Sequence, residues 1–566
     1  MIAFHLFQYG QAERGPRFLH HKLSRTRLVG AVAATVICVC LAPAQTENPE
    51  TPIPPGPYRI AGTVVNAKLG SPLARARVTL ADTKKRQSTQ SMITADDGHF
   101  EFHVMAGKYS LAGAKRGFIT AAYNEHDQYS TAIVTAADLD TESLVLRLQP
   151  NAVLGGRVLD EFQEPVRNAQ ITAYRDNHFQ GVSRIERYRT AITDDQGRYE
   201  ITPIQEGTYF VSAKASPWYA IHPLTNSENS AGQPVNVDPS LDVVYPLTYY
   251  GDSTETDGAI PIPIRGGDRL EADIHLTPVP SLHLMIHVPG DGPEGVGFTL
   301  QKPSLDGLEP VGHTTSQMVS PGLYEVTGVA AGRYTVQTFG SNRASESSEV
   351  DINGGDVDLS SRNQTGKVKV AVQVAGAATI PQELYIGLRN PKGKLESTPV
   401  DAKGEANFTD VAPAKYDLVA GSRTRAYSVV RVSSEAGTFP GHALNVPPAA
   451  SLTISATLVG GSVTVEGFAK RDGKAVSGVM IVLVPKDPDA NHDRFRRDQS
   501  DLDGSFSLQD VIPGSYTVIA IEDGWDLDWS RRAVIEHYLP RGQPVEVKDQ
   551  SSAQMQLEHP VDVQAK

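Results

Sequence analysis

Cysteine is almost absent from this chain. Its 566 residues contain two, Cys38 and Cys40, and both fall inside one apolar run near the N-terminus. Beyond residue 44 there is no thiol, which excludes disulfide staples and a thiolate nucleophile or metal ligand. Basic clusters are lacking too. The formal net charge is -13, and five Lys and Arg against one Glu lie within the first 44 residues, so the remainder is more acidic still. Such a balance argues against nucleic acid as a partner and against an anionic membrane face. No apolar run is long enough to span a bilayer easily: the longest, residues 28–42, is short of the roughly 20 residues a span requires. After residue 44 no long stretch shows helical periodicity. There is no His-Glu-x-x-His or His-x-x-Glu zinc pattern, no Gly-x-Ser-x-Gly and no phosphate loop. The expectation is a protein that is not an enzyme and holds no cofactor.

What the chain does have is glycine, 49 residues, and proline, 38, and a repeat built on one glycine and one tyrosine. Gly197 precedes Tyr209 by twelve residues. Gly322 and Tyr334, Gly404 and Tyr416, and Gly504 and Tyr516 keep that spacing, and Gly98 and Tyr109 are one residue closer. Apolar residues alternate with polar ones on either side, as in Tyr199 and Ile201, then Tyr209, Val211 and Ala213. A period of two on both sides of a turn predicts a β-hairpin in each copy. A second glycine, at Gly107, Gly207, Gly332 and Gly514, stands two residues before the tyrosine and predicts a tight turn; the fourth copy has Ala414. The tyrosines lie 100, 125, 82 and 100 residues apart, so each copy is a domain rather than a solenoid repeat.

Taken in order, residues 1–44 read as a signal peptide or an uncleaved anchor. Arg17, Lys22, Arg25 and Arg27 precede the apolar run, and Ala42-Pro43-Ala44 supplies a small-x-small cleavage pattern before Gln45. The residues before Cys40 do not resemble a lipidation signal. A proline-rich linker follows at 45–57. Five β-sandwiches are expected at 58–149, 150–279, 280–363, 364–459 and 460–566, each with about seven short strands. The second carries a long polar insertion, 216–259.

The pattern Gly-x-Val, Pro-Val-x-x-Ala-x-Val, Thr-Asp-x-x-Gly-x-Tyr-x-Ile and Gly-x-Tyr-x-Val-x-Ala resembles the carboxypeptidase regulatory-like domain. Domains 1, 2 and 5 carry it well, and domains 3 and 4 carry its second half. The resemblance implies an all-β chain of tandem transthyretin-like (prealbumin-like) sandwiches, neighbours of Cna B-type modules and Ig-like in plan. In carboxypeptidases this module stands beside the catalytic domain and does no chemistry, and this chain has no spare length for such a catalytic domain. The Lys, acidic residue and Asn of a Cna B-type internal cross-link cannot be placed on matching strands.

Several constellations are candidates for function. Asp96-Asp97-Gly98, Asp194-Asp195-Gln196-Gly197 and Asp501-Leu502-Asp503-Gly504 begin like calcium loops, or simply make the turn before a strand. His283, Met285 and His287 share one strand face and could hold copper or zinc, or form a half-exposed face. Trp525, Asp526, Asp528 and Trp529, with Arg531 and Arg532, form an aromatic loop after the last repeat, and Trp218 and Tyr219 occupy the same place in domain 2. Such rings can stack on sugar faces, or plug the end of a sandwich, as Phe118 and Phe339 would at the corresponding sites. Tyr245, Tyr249 and Tyr250 cluster in an insertion longer than the fold needs.

These observations point to an exported, non-enzymatic binding or adhesion scaffold of the bacterial cell envelope, periplasmic, cell-surface or extracellular. Its partner would be a protein or polysaccharide at the cell surface, and it would touch a membrane only through an uncleaved N-terminal segment. Five beads on short linkers would give reach and avidity. The alternatives are a carbohydrate-binding protein serving secreted glycan hydrolases, and a regulatory partner of a peptidase or outer-membrane transporter.

Overall fold

The computed structural model describes residues 51–566 apart from 86, 136–138, 180, 226–236, 288–296, 313, 341–342, 354–356, 359–365, 378, 391–394, 424, 435–436, 440–441, 462 and 549–552. The N-terminal targeting segment, Cys38 and Cys40 lie outside the described residues. The protein is all-β, and its apolar side chains gather into separate cores along the chain.

One strand plan recurs. In domain 1 the strand Tyr58–Asn66 is the middle of a three-stranded sheet. It runs antiparallel to His99–Val104 and parallel to Leu144–Leu148. The facing sheet pairs Ser88–Ile93, Arg77–Asp82 and Lys108–Ala114. Strict alternation puts Ile60, Val64, Phe100, Phe102 and Leu146 of one sheet against Val78, Leu80 and Leu111 of the other, all fully or almost fully buried. Each contributes about 1.5–3 kcal/mol relative to exposure. The centre is tight: a Cβ on Gly62 would stand 2.0 Å from the carbonyl oxygen of Leu144. Domain 2 repeats the plan with Ala152–Leu159 between Arg198–Ile204 and the parallel Arg269–Glu271. The divergent domains 3 and 4 repeat it too. Leu282–His287 pairs with Leu323–Val329 and Val357–Asp358, and Gly366–Val374 with Glu405–Val411 and Ser451–Gly460.

The expected hairpin at each glycine–tyrosine repeat is not one. Arg198–Ile204 pairs with Ala152–Leu159, whereas Gly207–Lys214 pairs with Gln170–Phe179 in the facing sheet. The chain therefore arches from one sheet to the other. The repeated tyrosine holds the arch, because its hydroxyl donates to the carbonyl four residues earlier. The bonds run from Tyr109 to Met105 at 3.0 Å, Tyr209 to Gln205 at 2.9 Å, Tyr334 to Ala330 at 2.9 Å, Tyr416 to Ala412 at 2.9 Å, and Tyr516 to Ile512 at 2.6 Å. This is a tyrosine corner of the kind sandwich folds use between sheets. Gly207, Gly332 and Gly514 enter the arch with φ of 149°, 146° and 155°, a region reserved for glycine. Gly107 and Ala414 do not adopt it, so the alanine of the fourth copy fits without strain.

The long insertion of domain 2 is partly built into the sandwich. Thr248–Tyr249 adds to the edge of Gly207–Lys214, and Val243–Val244 pairs with Val279–Pro280. Among the described residues no helix is long and apolar enough to cross a membrane.

The domains are not independent beads. Domain 5 packs on domain 1, from which it is farthest in sequence. Lys108 Nζ reaches Asp501 Oδ2 at 2.8 Å, and Asp501 Oδ1 accepts from the Ala132 backbone N–H at 2.9 Å. Gln499 Nε2 donates to the Asn124 carbonyl at 2.6 Å and to Thr131 Oγ1 at 2.8 Å. Leu502 packs against the core of domain 1. The expectation of five beads on short linkers is thereby corrected: polar pairing holds domains 1 and 5 together.

Candidate functional site

The aromatic loop of domain 5 faces inward. Strand Met480–Pro485 is buried on both faces. One face serves the sandwich core, and the other meets a second cluster formed by Trp525, Trp529, Phe495, Ile535 and Tyr538. Trp525 and Trp529 are 9% and 5% exposed. Over them lies the Arg497 guanidinium, 5.5 Å from the Trp525 ring, 5.1 Å from Trp529 and 4.9 Å from Tyr129 of domain 1. Arg497 also pairs with Asp127 at 2.9 Å. His126 stacks on Trp525 with centroids 4.7 Å apart and planes 4° from parallel. A desolvated cation over aromatic faces contributes about 2 kcal/mol, so this cage is a joint between domains.

Of the neighbouring acids, Asp528 serves the same joint and Asp526 is held within domain 5. Asp528 Oδ1 accepts from the Ser183 backbone N–H at 2.9 Å, Asp528 Oδ2 pairs with Arg531 at 3.0 Å, and Asp526 pairs with Lys566. Ser183 belongs to the long hairpin Gln170–Phe179 and Val182–Ile192 of domain 2, whose tip rests on Trp529. Gly181 occupies that tip at φ +74°, and a Cβ there would stand 2.5 Å from the Trp529 ring. Ser530 Oγ donates to its carbonyl at 2.9 Å. The C-terminal domain thus touches both domain 1 and domain 2.

The carboxylates of the calcium-like loops are spent on turns and on this joint. Asp194 Oδ1 accepts from the backbone N–H groups of Gln196 and Arg198, and Asp97 Oδ1 accepts from that of His99. Asp501 anchors domain 1, and burial raises its carboxyl above the ordinary range. On the His283 strand, Leu284 and Ile286 are buried while His283 and His287 are exposed. His283 Nε2 meets Asp242 Oδ2 at 2.5 Å, and His222 Nδ1 meets the other oxygen at 2.9 Å. Asp242 is therefore a polar clamp between the insertion and domain 3. Among the described residues no three His, Cys, Asp or Glu converge on a metal position.

The tyrosines of the insertion divide. Tyr249 is buried in the sheet edge and Tyr250 packs partly against the core. Tyr245 lines a cleft between domains 2 and 3 with Lys214, Lys302, Glu309 and Tyr334. That cleft is closed by charge: Glu309 pairs with Arg187 and Lys214. Burial raises the Tyr245 and Tyr249 hydroxyls above their ordinary range.

Trp218 is the exception. It is 86% exposed, and it stands edge-on to Tyr219, with centroids 5.8 Å apart and planes at 89°. Tyr219 is fixed by a hydrogen bond from its hydroxyl to Glu161 Oε1, and Tyr245 donates to Glu161 Oε2 at 2.9 Å. Next to Glu161, Phe162 is 74% exposed. Sequence reasoning passed over Glu161 and Phe162. The available signal was a large apolar residue inside the polar turn Asp160-Glu161-Phe162-Gln163-Glu164. Asp160 Oδ1 accepts from the backbone N–H groups of Phe162 and Glu164 and so sets that turn.

Comparison with known proteins places a carboxypeptidase regulatory-like domain at residues 59–147. No curated protein matches the chain. Among solved structures, the chain is similar to the Bacillus anthracis TIE protein at 11% identity, covering 69% of this chain and 70% of that one, with a TM-score of 0.15. It is also similar to the full-length major pilin RrgB from Streptococcus pneumoniae at 10% identity, covering 89% and 99%, with a TM-score of 0.16. The Streptococcal ancillary pilin aligns at 13% identity over 53% and 97%, with a TM-score of 0.20. At identities and scores this low, none of these likenesses bears on function.

Proposed function

We propose that this chain, whose first sandwich is a carboxypeptidase regulatory-like domain, is an exported, non-enzymatic scaffold of the cell envelope that holds a partner at the free end of its second domain. The observation that carries the reading is Trp218. Two of the three tryptophans are consumed by joints between domains, and the third is presented to solvent on a fixed pedestal of Tyr219, Glu161 and Tyr245. Exposing a large ring gains nothing for folding, and exposed aromatic anchors dominate binding surfaces. The joints between domains 1, 2 and 5 favour a rigid frame that fixes where this end points. Export rests on the basic and apolar character of residues 17–44.

The carbohydrate-binding alternative loses Trp525 and Trp529, which lie inside the molecule, and retains Trp218. The chain from Gln45 onward, and the same chain with Trp218→Ala, should be compared on immobilised polysaccharides and immobilised envelope proteins. Capture that weakens at least tenfold in a variant of unchanged melting temperature supports the reading. Capture that is equal in both removes Trp218 from the contact surface. Fractionation of producing cells should recover the protein outside the cytoplasm with Gln45 at its N-terminus or with the leader retained in the membrane; recovery in the cytoplasm overturns export.

A further inference from the structure

Three exposed features stand apart from the joints: the edge strand Thr315–Ser320, the charged cleft between domains 2 and 3, and the end of domain 2 around Glu161. The edge strand has nothing beside it to name an occupant, and the cleft satisfies its own charges. The end of domain 2 is different. Its carboxylate receives two hydroxyl donors, from Tyr219 and Tyr245. Both donors are neutral, so they orient the charge without cancelling it. Among the described residues no Lys, Arg or His ion pair reaches Glu161. Burial works against ionisation there, but the hydrogen bonds from Tyr219, the Glu161 backbone N–H and Tyr245 outweigh it and hold the carboxyl below its ordinary range. The group therefore stays charged at neutral pH.

Four aromatic residues adjoin that uncompensated charge, two by contact, one through Tyr219 and one in sequence. Tyr219 and Tyr245 touch it, Trp218 packs on Tyr219, and Phe162 is the next residue along the chain. The faces of Trp218 and Phe162 are open to solvent. Glu164, exposed at the same turn, and Asp160 beneath it add negative charge. Ring faces carry negative quadrupole and attract cations, most strongly at tryptophan. An anionic ligand would meet only repulsion here. A neutral sugar would use the rings but not the charge.

We propose that the Glu161–Trp218 end of domain 2 binds an organic ammonium cation. The ammonium would lie against the Trp218 face with Glu161 as its counter-charge and Phe162 as a side wall. Its source is either a small quaternary amine or a lysine side chain of a partner. This rests on the reading that Trp218 is the contact surface.

The test is titration of the purified mature chain, followed by calorimetry and by tryptophan fluorescence, in which Trp218 is the exposed reporter. The probes are choline, a lysine-containing peptide, the same peptide acetylated on its lysine, 3,3-dimethylbutanol as the neutral isostere of choline, and a neutral oligosaccharide. Saturable binding of choline or of the lysine peptide is expected, weakening with salt. It should fall at least tenfold in Glu161→Gln, whose amide oxygen still accepts from a tyrosine, and in Trp218→Ala. Choline alone would assign a small amine, and loss of the peptide on acetylation would assign a lysine side chain. The proposal is overturned if no ammonium binds at millimolar concentration, if 3,3-dimethylbutanol or the oligosaccharide binds as tightly, or if Glu161→Gln binds unchanged. Capture of the envelope partner that needs Trp218 but ignores Glu161→Gln would leave the contact surface standing and remove the cation. Capture indifferent to both would remove both.

Discussion

Domains 2 and 5 place an aromatic loop at the same point of the sandwich, just after the strand that bears the corner tyrosine, and put it to opposite uses. In domain 5 the loop is a joint: Trp525 and Trp529 lie under Arg497, with His126 and Tyr129 arriving from domain 1 and Gly181 from domain 2. In domain 2 the corresponding Trp218 is 86% exposed, and among the described residues its ring contact is with its neighbour Tyr219. Both loops are aromatic, and only that of domain 5 is flanked by acids, at Asp523, Asp526 and Asp528, but the contrast in use is not set by the rings themselves. It lies in what packs against them. An aromatic residue at a recurrent position is thus a socket that a neighbouring domain fills in one copy and leaves open in another.

The largest effect expected of this contrast is in domain 5. Trp529→Ala should cost about 3–5 kcal/mol, the usual range for truncating a buried large aromatic residue. It should also loosen domain 5 from domains 1 and 2, and denaturant unfolding with small-angle scattering would read both. A melt within about 0.5 kcal/mol of the parent would break the comparison.

A smaller effect concerns the acids of the same region. Desolvation holds the Asp498 carboxyl up at about 7, while its oxygen accepts from the Ser507 backbone N–H at 2.6 Å. A carboxyl raised in the folded state stabilises in its neutral form. Its contribution is complete below the ordinary carboxylate range of about 4 and is lost as pH rises through about 7. The melting temperature of the parent should therefore fall across that window relative to Asp498→Asn, and a constant difference between the two would refute the assignment.

The smallest effect is the complement of the first. Trp218→Ala should leave stability within about 0.5 kcal/mol of the parent, because the ring buries little. A loss like that of Trp529→Ala would mean that Trp218 is also structural.

The sandwich plan was legible in the sequence because two local rules survive without an alignment. Alternation marks strands, and the glycine–tyrosine spacing marks the arch. What alternation could not tell is which sheet a strand joins, since the period of two is the same whether the chain turns back on its neighbour or crosses the core. The hairpin reading of Gly197 to Tyr209 failed on that point: Arg198–Ile204 and Gly207–Lys214 pair into opposite sheets. The fate of the tryptophans was illegible for another reason. Arg497 and Asp127 are 370 residues apart, and nothing local to Trp525 announces a partner at that distance. Glu161 and Phe162 could have been found, because a phenylalanine in a tight acidic turn has no folding role to explain it.

The contact between domains 1 and 5 also sets an order of events during synthesis. Domain 1 can complete its own core as soon as Leu148 is available, but the face bearing His126, Asp127 and Tyr129 then waits for Arg497. At about 5–20 residues per second, that wait spans tens of seconds. During this time the first domain made is finished inside but bare on one side, and it is covered only when the last domain arrives. A chain released early, or cut anywhere between domains 1 and 5, would carry that bare face for its whole life.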